Sequence, residues 1–427
     1  MKGSGRLRRG VLTIALAIGV AYVVASEDWC RRDPEKAPIA RLSASGEGEL
    51  WAGAGQAPLD PPFPVVKAGY PPPRAQALGA AYPLRARAVV IQVQDVKIAI
   101  ATVDLLLIPH AVLRQVIASV GDLGLTHLWL VATHTHSSMG GFDARPIAEV
   151  AATGRYAAAS EMAVVLATAQ ALRTAAASMV RAELAVGEGR FPNLVTARSE
   201  GLQPDGRLTR ISIGQETTGP LAQVVVFAAH PTLISRQQEM LDPDYPGLFS
   251  AEEERAGRGL TVFVQGAIGN ASVATGGEDA AARLRDFTAK LRAAAAQVTL
   301  VSVANPSISL RTVSANLPNP DASRLVPPWL QPIGRNLLCP SAPRQAEISQ
   351  LSLGPVKLLF VPGEPTAGAE LKLLEASGAQ RTVALANGYL GYIETPELVL
   401  QGKGESKRQY FGPQLLEVLS RASQRTR

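Results

Sequence analysis

Residues 129–142 read WLVATHTHSSMGGF, an apolar run that breaks off into two histidines and then into small and polar residues. The run over 128–132 is β-like, and Thr133-His134-Thr135-His136 sets two imidazoles at alternate positions just beyond it. In an extended chain alternate side chains share a face, so this spacing predicts that His134 and His136 point the same way. Two imidazoles on one face at a strand end can hold a divalent metal, or one can bind while the other shuttles protons. A lone histidine there would read more simply as a hydrogen-bonded polar residue. Two of the chain's five histidines stand together here, which favours the metal or catalytic reading. His110 and His127 stand alone and read as structural.

Upstream, the β-like runs 88–93 and 97–103 flank Gln94-Asp95-Val96 and predict a hairpin. Residues 109–120 have helical spacing, with Val112, Val116 and Val120 on one face. Strand, helix and strand make a βαβ unit, whose sites form at the carboxyl ends of its strands. Asp104 follows the first strand and Thr133-His134 the second, so they are expected on one edge. Downstream, the strand-like runs 221–229, 260–265, 356–361 and 382–386 lead into segments holding His230, Ser272, Glu364 and Tyr392. If these strands share one sheet in a common direction, those residues converge with His134. Two histidines, a glutamate and a tyrosine can form an N2O2 zinc shell, and a dication favours the phenolate by lowering its pKa. Helices are expected over 156–177, 279–296 and 412–423. The fold class is therefore α/β: one large domain, a mixed and partly parallel sheet flanked by helices, and a metal site at strand C-terminal ends. Residues 27–48 read as a linker, 53–73 as Gly- and Pro-rich coil, and 317–343 as a long surface loop acting as a lid or entrance.

The 427 residues carry a net charge of +6 but only 5% aromatics, with no basic block interleaved with aromatics. That excludes a nucleic-acid partner as the leading reading; a basic surface suits anionic membrane lipids better. No protein partner is indicated. Lys2, Arg6, Arg8 and Arg9 precede an uncharged apolar run over 11–25, followed by Glu27 and Asp28. This is the layout of a signal peptide or N-terminal membrane anchor over 1–26, so residues 49–427 are expected to be the functional domain, exported to the periplasm or the extracellular space. Cys30 and Cys339 would then meet an oxidising compartment, where their pairing stays open.

The motif set resembles the neutral/alkaline (non-lysosomal) ceramidase family. THTHSSMGGF at 133–142 is similar to that family's THTHSGPGGF, FAAHPT at 227–232 to its FAxHPT, and DYPGLFS at 244–250 to a degraded DNxGYAS. GNAS at 269–272, PGEPT at 362–366, NGYLGYIETPE at 387–397 and FGPQLLE at 411–417 resemble its GNLS, PGEFT, NxYxxYxTTxEE and YGPxTLE, in family order. The resemblance implies a zinc-dependent amidohydrolase that cleaves the N-acyl bond of ceramide or a related N-acyl lipid by attack of zinc-activated water, with a lipid substrate presented at a membrane surface. It implies His134, His230, Glu364 and Tyr392 as Zn2+ ligands, His136 as a hydrogen-bonding or proton-shuttling neighbour, Ser272 as a site serine, and Arg198 as a contact to substrate or transition state. Arg198 or Tyr389 is the candidate oxyanion donor and His136 or Asp104 the candidate proton carrier. The sequence departs from the family at Ser138-Met139, after Ser272 and at Gly404, and the family's C-terminal immunoglobulin-like domain is expected to be absent.

Two other readings compete. Ser272 would be a covalent nucleophile with His136 or His230 as base, although no G-x-S-x-G elbow is present. Alternatively the chain would be a non-catalytic, membrane-tethered lipid-binding protein on a decayed hydrolase scaffold.

Overall fold

The computed structural model describes residues 19–23, 27, 29–215, 219–276, 279–321 and 326–427. Most of the expected signal or anchor segment lies outside them. No helix among the described residues is long and apolar enough to cross a membrane.

Thirteen principal strands build two sheets. In chain order they are β1 (Ile39–Glu47), β2 (Leu50–Pro58), β3 (Arg85–Val93), β4 (Val96–Val103), β5 (His127–Ala132), β6 (Val180–Arg190) and β7 (Arg207–Gln215). They continue with β8 (Gly219–Phe227), β9 (Leu260–Gln265), β10 (Ser307–Asn316), β11 (Gln345–Leu353), β12 (Val356–Phe360) and β13 (Arg381–Val383). The main helices are α1 (His110–Ser119), α2 (Ala158–Ala177), α3 (Asp244–Arg255), α4 (Ala280–Gln297), α5 (Ala367–Ser377) and α6 (Leu415–Gln424). The larger sheet runs β9-β8-β7-β6-β2-β3-β4-β5, with Val301–Val303 added beside β6. The smaller runs β1-β10-β11-β12-β13. Pairing is antiparallel except for β4 with β5, β8 with β9, and β12 with β13.

Strand alternation divides the core. On β3, Val89, Ile91 and Val93 face the second sheet, whereas Ala86, Ala88 and Val90 face helices α1 and α2. Between the sheets Trp129 stacks on Phe360 at a centroid distance of 4.4 Å. Its Nε1 donates to Ser349 Oγ at 2.6 Å. Helices α3 and α4 pack on β8 and β9 through Phe249, Phe287 and Phe263. Helices α5 and α6 cover the outer face of the smaller sheet through Leu373, Leu415 and Leu419. The result is four layers, helix, sheet, sheet, helix.

Three local expectations change. Residues 39–47, expected within a linker, form edge strand β1 on β10. The glycines of 53–58 belong to β2, not to coil: a Cβ on Gly53 or Gly55 would strike the carbonyls of Ala175 or Ala171, so their absence lets α2 lie flat on the strand. The long loop over 317–343 contains the short helix Gln331–Leu338, and Cys339 beside it is disulfide-bonded to Cys30.

The larger sheet coils until its two edge strands meet. Gln265 Nε2, at the end of β9, donates to the Thr133 carbonyl after β5 at 3.0 Å. Residues 384–387, leaving β13, fill the seam: Ala384 N–H donates to Gln265 O, and Asn387 N–H to Leu130 O. The Asn387 side chain adds bonds to Leu130 N–H at 2.8 Å and Leu128 O at 2.9 Å. This seam brings the C-terminal ends of strands from both sheets to one place. Convergence of the site residues therefore needs two sheets and a closed seam, in place of the single sheet with a common direction that the sequence suggests.

Candidate metal centre

Four chain segments meet at the seam. After β5, Thr133 N–H donates to Val103 O and His134 N–H to Leu105 O, which prolongs the parallel pairing. His134 then takes a left-handed conformation, φ 70°. The two histidines are thus brought together by a turn, not by the extended alternation expected. Beyond β8, His230 N–H donates to Ala271 O, and His230 forms a parallel bridge with Ser272. Glu364 and Tyr392 are register partners in a two-residue parallel pair.

Each of three imidazoles directs Nδ1 at a backbone carbonyl: His134 at Leu106 O (2.7 Å), His136 at Gly69 O (2.9 Å) and His230 at Ala271 O (3.1 Å). A carbonyl only accepts, so Nδ1 carries the hydrogen and Nε2 presents a lone pair. All three Nε2 atoms turn to one point. His134 Nε2 stands 3.4 Å from His136 Nε2 and 3.3 Å from Glu364 Oε2. His230 Nε2 is 3.0 Å from the same carboxylate oxygen and 2.9 Å from the Tyr392 hydroxyl. Burial, with Arg198 and His134 against it, holds the His230 imidazolium down at about 4. Burial and the two neighbouring histidines likewise push His136 well below its ordinary value.

Three lone pairs and an anionic oxygen aimed at one another repel unless a cation lies between them. The donor set suits a zinc-like ion: ligand atoms each ~2.0–2.2 Å from one centre stand ~3 Å from their neighbours, and the neighbouring donor atoms here are 2.9–3.4 Å apart. His136, expected as a neighbour, offers a ligand atom on the same footing as the other two histidines.

The surroundings orient this set. Tyr389 donates its hydroxyl to Glu364 Oε1 at 2.6 Å, leaving Oε2 for the centre. Burial and the Glu364 charge push both Tyr389 and Tyr392 well above the ordinary phenol range. Arg198 opposes this at Tyr392, donating Nη2 to its hydroxyl at 2.5 Å while Nε holds Glu405 at 3.0 Å. Arg198 and Arg408 also place guanidinium carbons 5.2 and 5.6 Å from the Tyr392 ring centroid. Two cations beside the phenol favour its phenolate once a metal adds its charge.

Arg198 thus touches an expected ligand, and Tyr389 holds Glu364 in place of an oxyanion position. Ser272 is half-buried beside His230, but none of the histidine ring nitrogens bonds its hydroxyl. Asp104 does not join the cluster. It accepts from Arg85 N–H (2.9 Å), Arg87 Nη1 (3.4 Å) and Thr133 Oγ1 (3.2 Å), a buried network behind the seam. Its expected place on the edge with Thr133 holds, but a proton-carrying role finds no geometric support. Glu405, which fixes both Arg198 and Arg408, escaped the sequence reading because Lys403-Gly404-Glu405-Ser406-Lys407-Arg408 looks like any solvated charged turn.

Residues 53–265 match the family described as neutral/alkaline non-lysosomal ceramidase, N-terminal. The chain belongs to this family. It is also similar to the neutral ceramidase crystal structure from Pseudomonas aeruginosa, with TM-score 0.71 and 19% identity over 88% of this chain and 73% of that one. A second structure, a ceramidase complexed with C2, matches at TM-score 0.73 and 19% identity over 88% and 74% of the two chains. At this identity the two structures establish the fold. No curated protein sequence matches.

Proposed function

We propose that this protein is a zinc-dependent amide hydrolase that cleaves the N-acyl bond of ceramide or a closely related N-acyl lipid. One observation carries the reading: three Nε2 lone pairs and Glu364 Oε2 converge, buried, in a chain of the ceramidase family. His134, His136, His230, Glu364 and Tyr392 would hold the ion. A bound zinc would polarise the amide carbonyl and lower the pKa of water toward about 7. The chain's own groups then do the rest. Tyr389 and the three backbone carbonyls fix the orientation of the donors. Arg198 holds charge at the Tyr392 oxygen.

An apolar cavity of about 200 Å3 adjoins Tyr389 and is lined by Leu107, Ile147, Ala148, Leu390 and Phe411. It suits a hydrocarbon chain. Leu338 and Ala342 close one side, next to the Cys30–Cys339 bridge. The disulfide supports export to an oxidising compartment, in keeping with the basic-then-apolar start of the chain.

The test is metal content of the purified protein together with hydrolysis of a fluorogenic N-acyl-sphingosine before and after chelation. The expected result is about one zinc per chain, with turnover lost on chelation and restored by zinc. Turnover that survives complete removal of metal overturns the zinc reading and returns Ser272 as nucleophile. Zinc with no turnover on a panel of N-acyl lipids leaves a lipid-binding protein.

A further inference from the structure

A second cavity, of about 330 Å3, is lined in part by Ala228 and Ala267 and shares none of the metal centre's ligands. Its walls include Leu202 and Pro204 of the loop before β7, Arg207 at the start of β7, the helix α5 residues Leu371 and Leu374, and Arg381. Arg381 is the first residue of β13 and only 1% exposed. Its guanidinium keeps its charge at any physiological pH. Yet Nε and Nη1 are buried without a hydrogen-bond partner, and Nη2 makes only a 3.4 Å contact to Arg207 O.

The carboxylates that face this charge, Glu370, Asp205 and Glu188, act on it from a distance and do not bond it. Glu370 Oε1 accepts from Thr382 N–H (3.2 Å) and Oγ1 (2.8 Å), and its Oε2 is 3.5 Å from Arg207 Nη2. Asp205 is taken by Arg207 Nε at 2.6 Å. Among the described residues no carboxylate oxygen forms an ion pair with Arg381. A buried guanidinium is ordinarily paired and fully hydrogen-bonded, since desolvation without compensation is costly. An unpaired one lining an open cavity is a receptor for an anion.

We propose that this cavity binds a small oxyanion, a phosphate or a carboxylate, on the Arg381 guanidinium. Leu202, Pro204, Leu371 and Leu374 would cover any apolar body the ligand carries. The site is independent of the hydrolytic reading and uses residues from β13, α5 and the 202–207 loop. The same loop region carries Arg198 toward Tyr392, so the pocket and the metal centre share a structural support, but the proposal concerns binding alone.

The test is calorimetric titration of the metal-loaded full chain with inorganic phosphate and, separately, with hexanoate, at constant ionic strength in a chloride buffer. Saturable binding of one ligand per chain is expected for at least one of them. Phosphate alone would indicate an inorganic or phosphoryl ligand, and hexanoate alone an organic acid. Arg381→Met should abolish the binding. Leu371→Glu, at a 48% exposed position on the cavity wall, keeps the fold and sets a negative charge at the mouth; it should weaken the binding by about tenfold. Zinc content should stay the same in both variants. Absence of saturable binding of either anion at millimolar concentration overturns the proposal. So does binding that Leu371→Glu leaves unchanged, since the anion would then sit elsewhere, the metal centre included.

Discussion

Glu364 divides its two oxygens between two tasks: Oε2 faces His134 and His230, while Oε1 accepts from Tyr389. Removing the hydroxyl alone, Tyr389→Phe, keeps the ring in the cavity wall and frees the carboxylate to rotate. The expected effect is a metal affinity about 10–100-fold weaker, read by competition with a chelator; unchanged affinity would remove Tyr389 from the positioning shell. A second residue-scale prediction concerns Asp244, which sits at φ 54° and caps the backbone N–H groups of Leu233 and Tyr245. Burial, with Asp242 adding to it, pushes its carboxyl from 3.8 to about 7 despite those bonds. The folded state therefore holds a proton that the unfolded state releases, so this contribution to stability is complete below about pH 4 and is lost as pH rises to about 7. The melting temperature of Asp244→Asn relative to the wild type should climb between pH 5 and 8, and a flat difference would show that Asp244 is ionised throughout. At this scale the residues that converge were legible, because His134, His230, Glu364 and Tyr392 are polar residues that interrupt apolar runs. Arg198 and Glu405 were not, because their partners lie far along the chain and their neighbours are ordinary surface residues.

Between elements, the segment carrying Glu364 is held by close backbone packing. Gly269 N–H donates to Pro365 O at 2.8 Å, and a Cβ at Gly269 would come within 2.7 Å of Glu364 O and Thr366 N. Both obstacles are backbone, so Gly269→Ala must shift the strand that carries Glu364. A loss of about 1–3 kcal/mol of stability is expected, together with reduced zinc content. Gly276→Ala, with nothing within 4 Å of its Cβ, is the matched control. Equal metal content in the two variants would contradict this account of how Glu364 is placed. The hairpin of β3 and β4, strand β5 and helices α2 and α4 could be read from periodicity, since each buries a continuous apolar face. Strand β11, QAEISQLSL, passed unnoticed because its Ser and Gln residues blur the alternation that burial between α6 and the larger sheet imposes. Gly53 and Gly55 misled for a related reason, as a glycine that admits a helix looks the same in sequence as one that makes a turn.

Across the whole molecule, Cys30–Cys339 closes a sequence separation of 309 residues and ties the start of the described domain to the segment bordering the apolar cavity. Replacing both cysteines by serine should cost about 2–4 kcal/mol, measured as a shift in the guanidinium midpoint that a reductant reproduces in the wild type. A larger change in KM than in kcat is expected for a long-chain substrate, because Leu338, Ala342 and Pro343 line that cavity; equal losses in both would place the effect at the metal centre. What the sequence by itself determined is local: which runs alternate as strands, which repeat as helices, and which rare polar residues stand where the apolar runs end. These follow from backbone periodicity and from solvation, both of which act over a few residues. That the larger sheet coils until β5 meets β9, that residues 384–387 seal the seam, and that His134 turns left-handed so His136 can face it were decided only by the tertiary structure. The physical reason is that a metal site of this kind needs donors from four distant segments within a few ångströms, and only the packing of one sheet on another sets distances at that range.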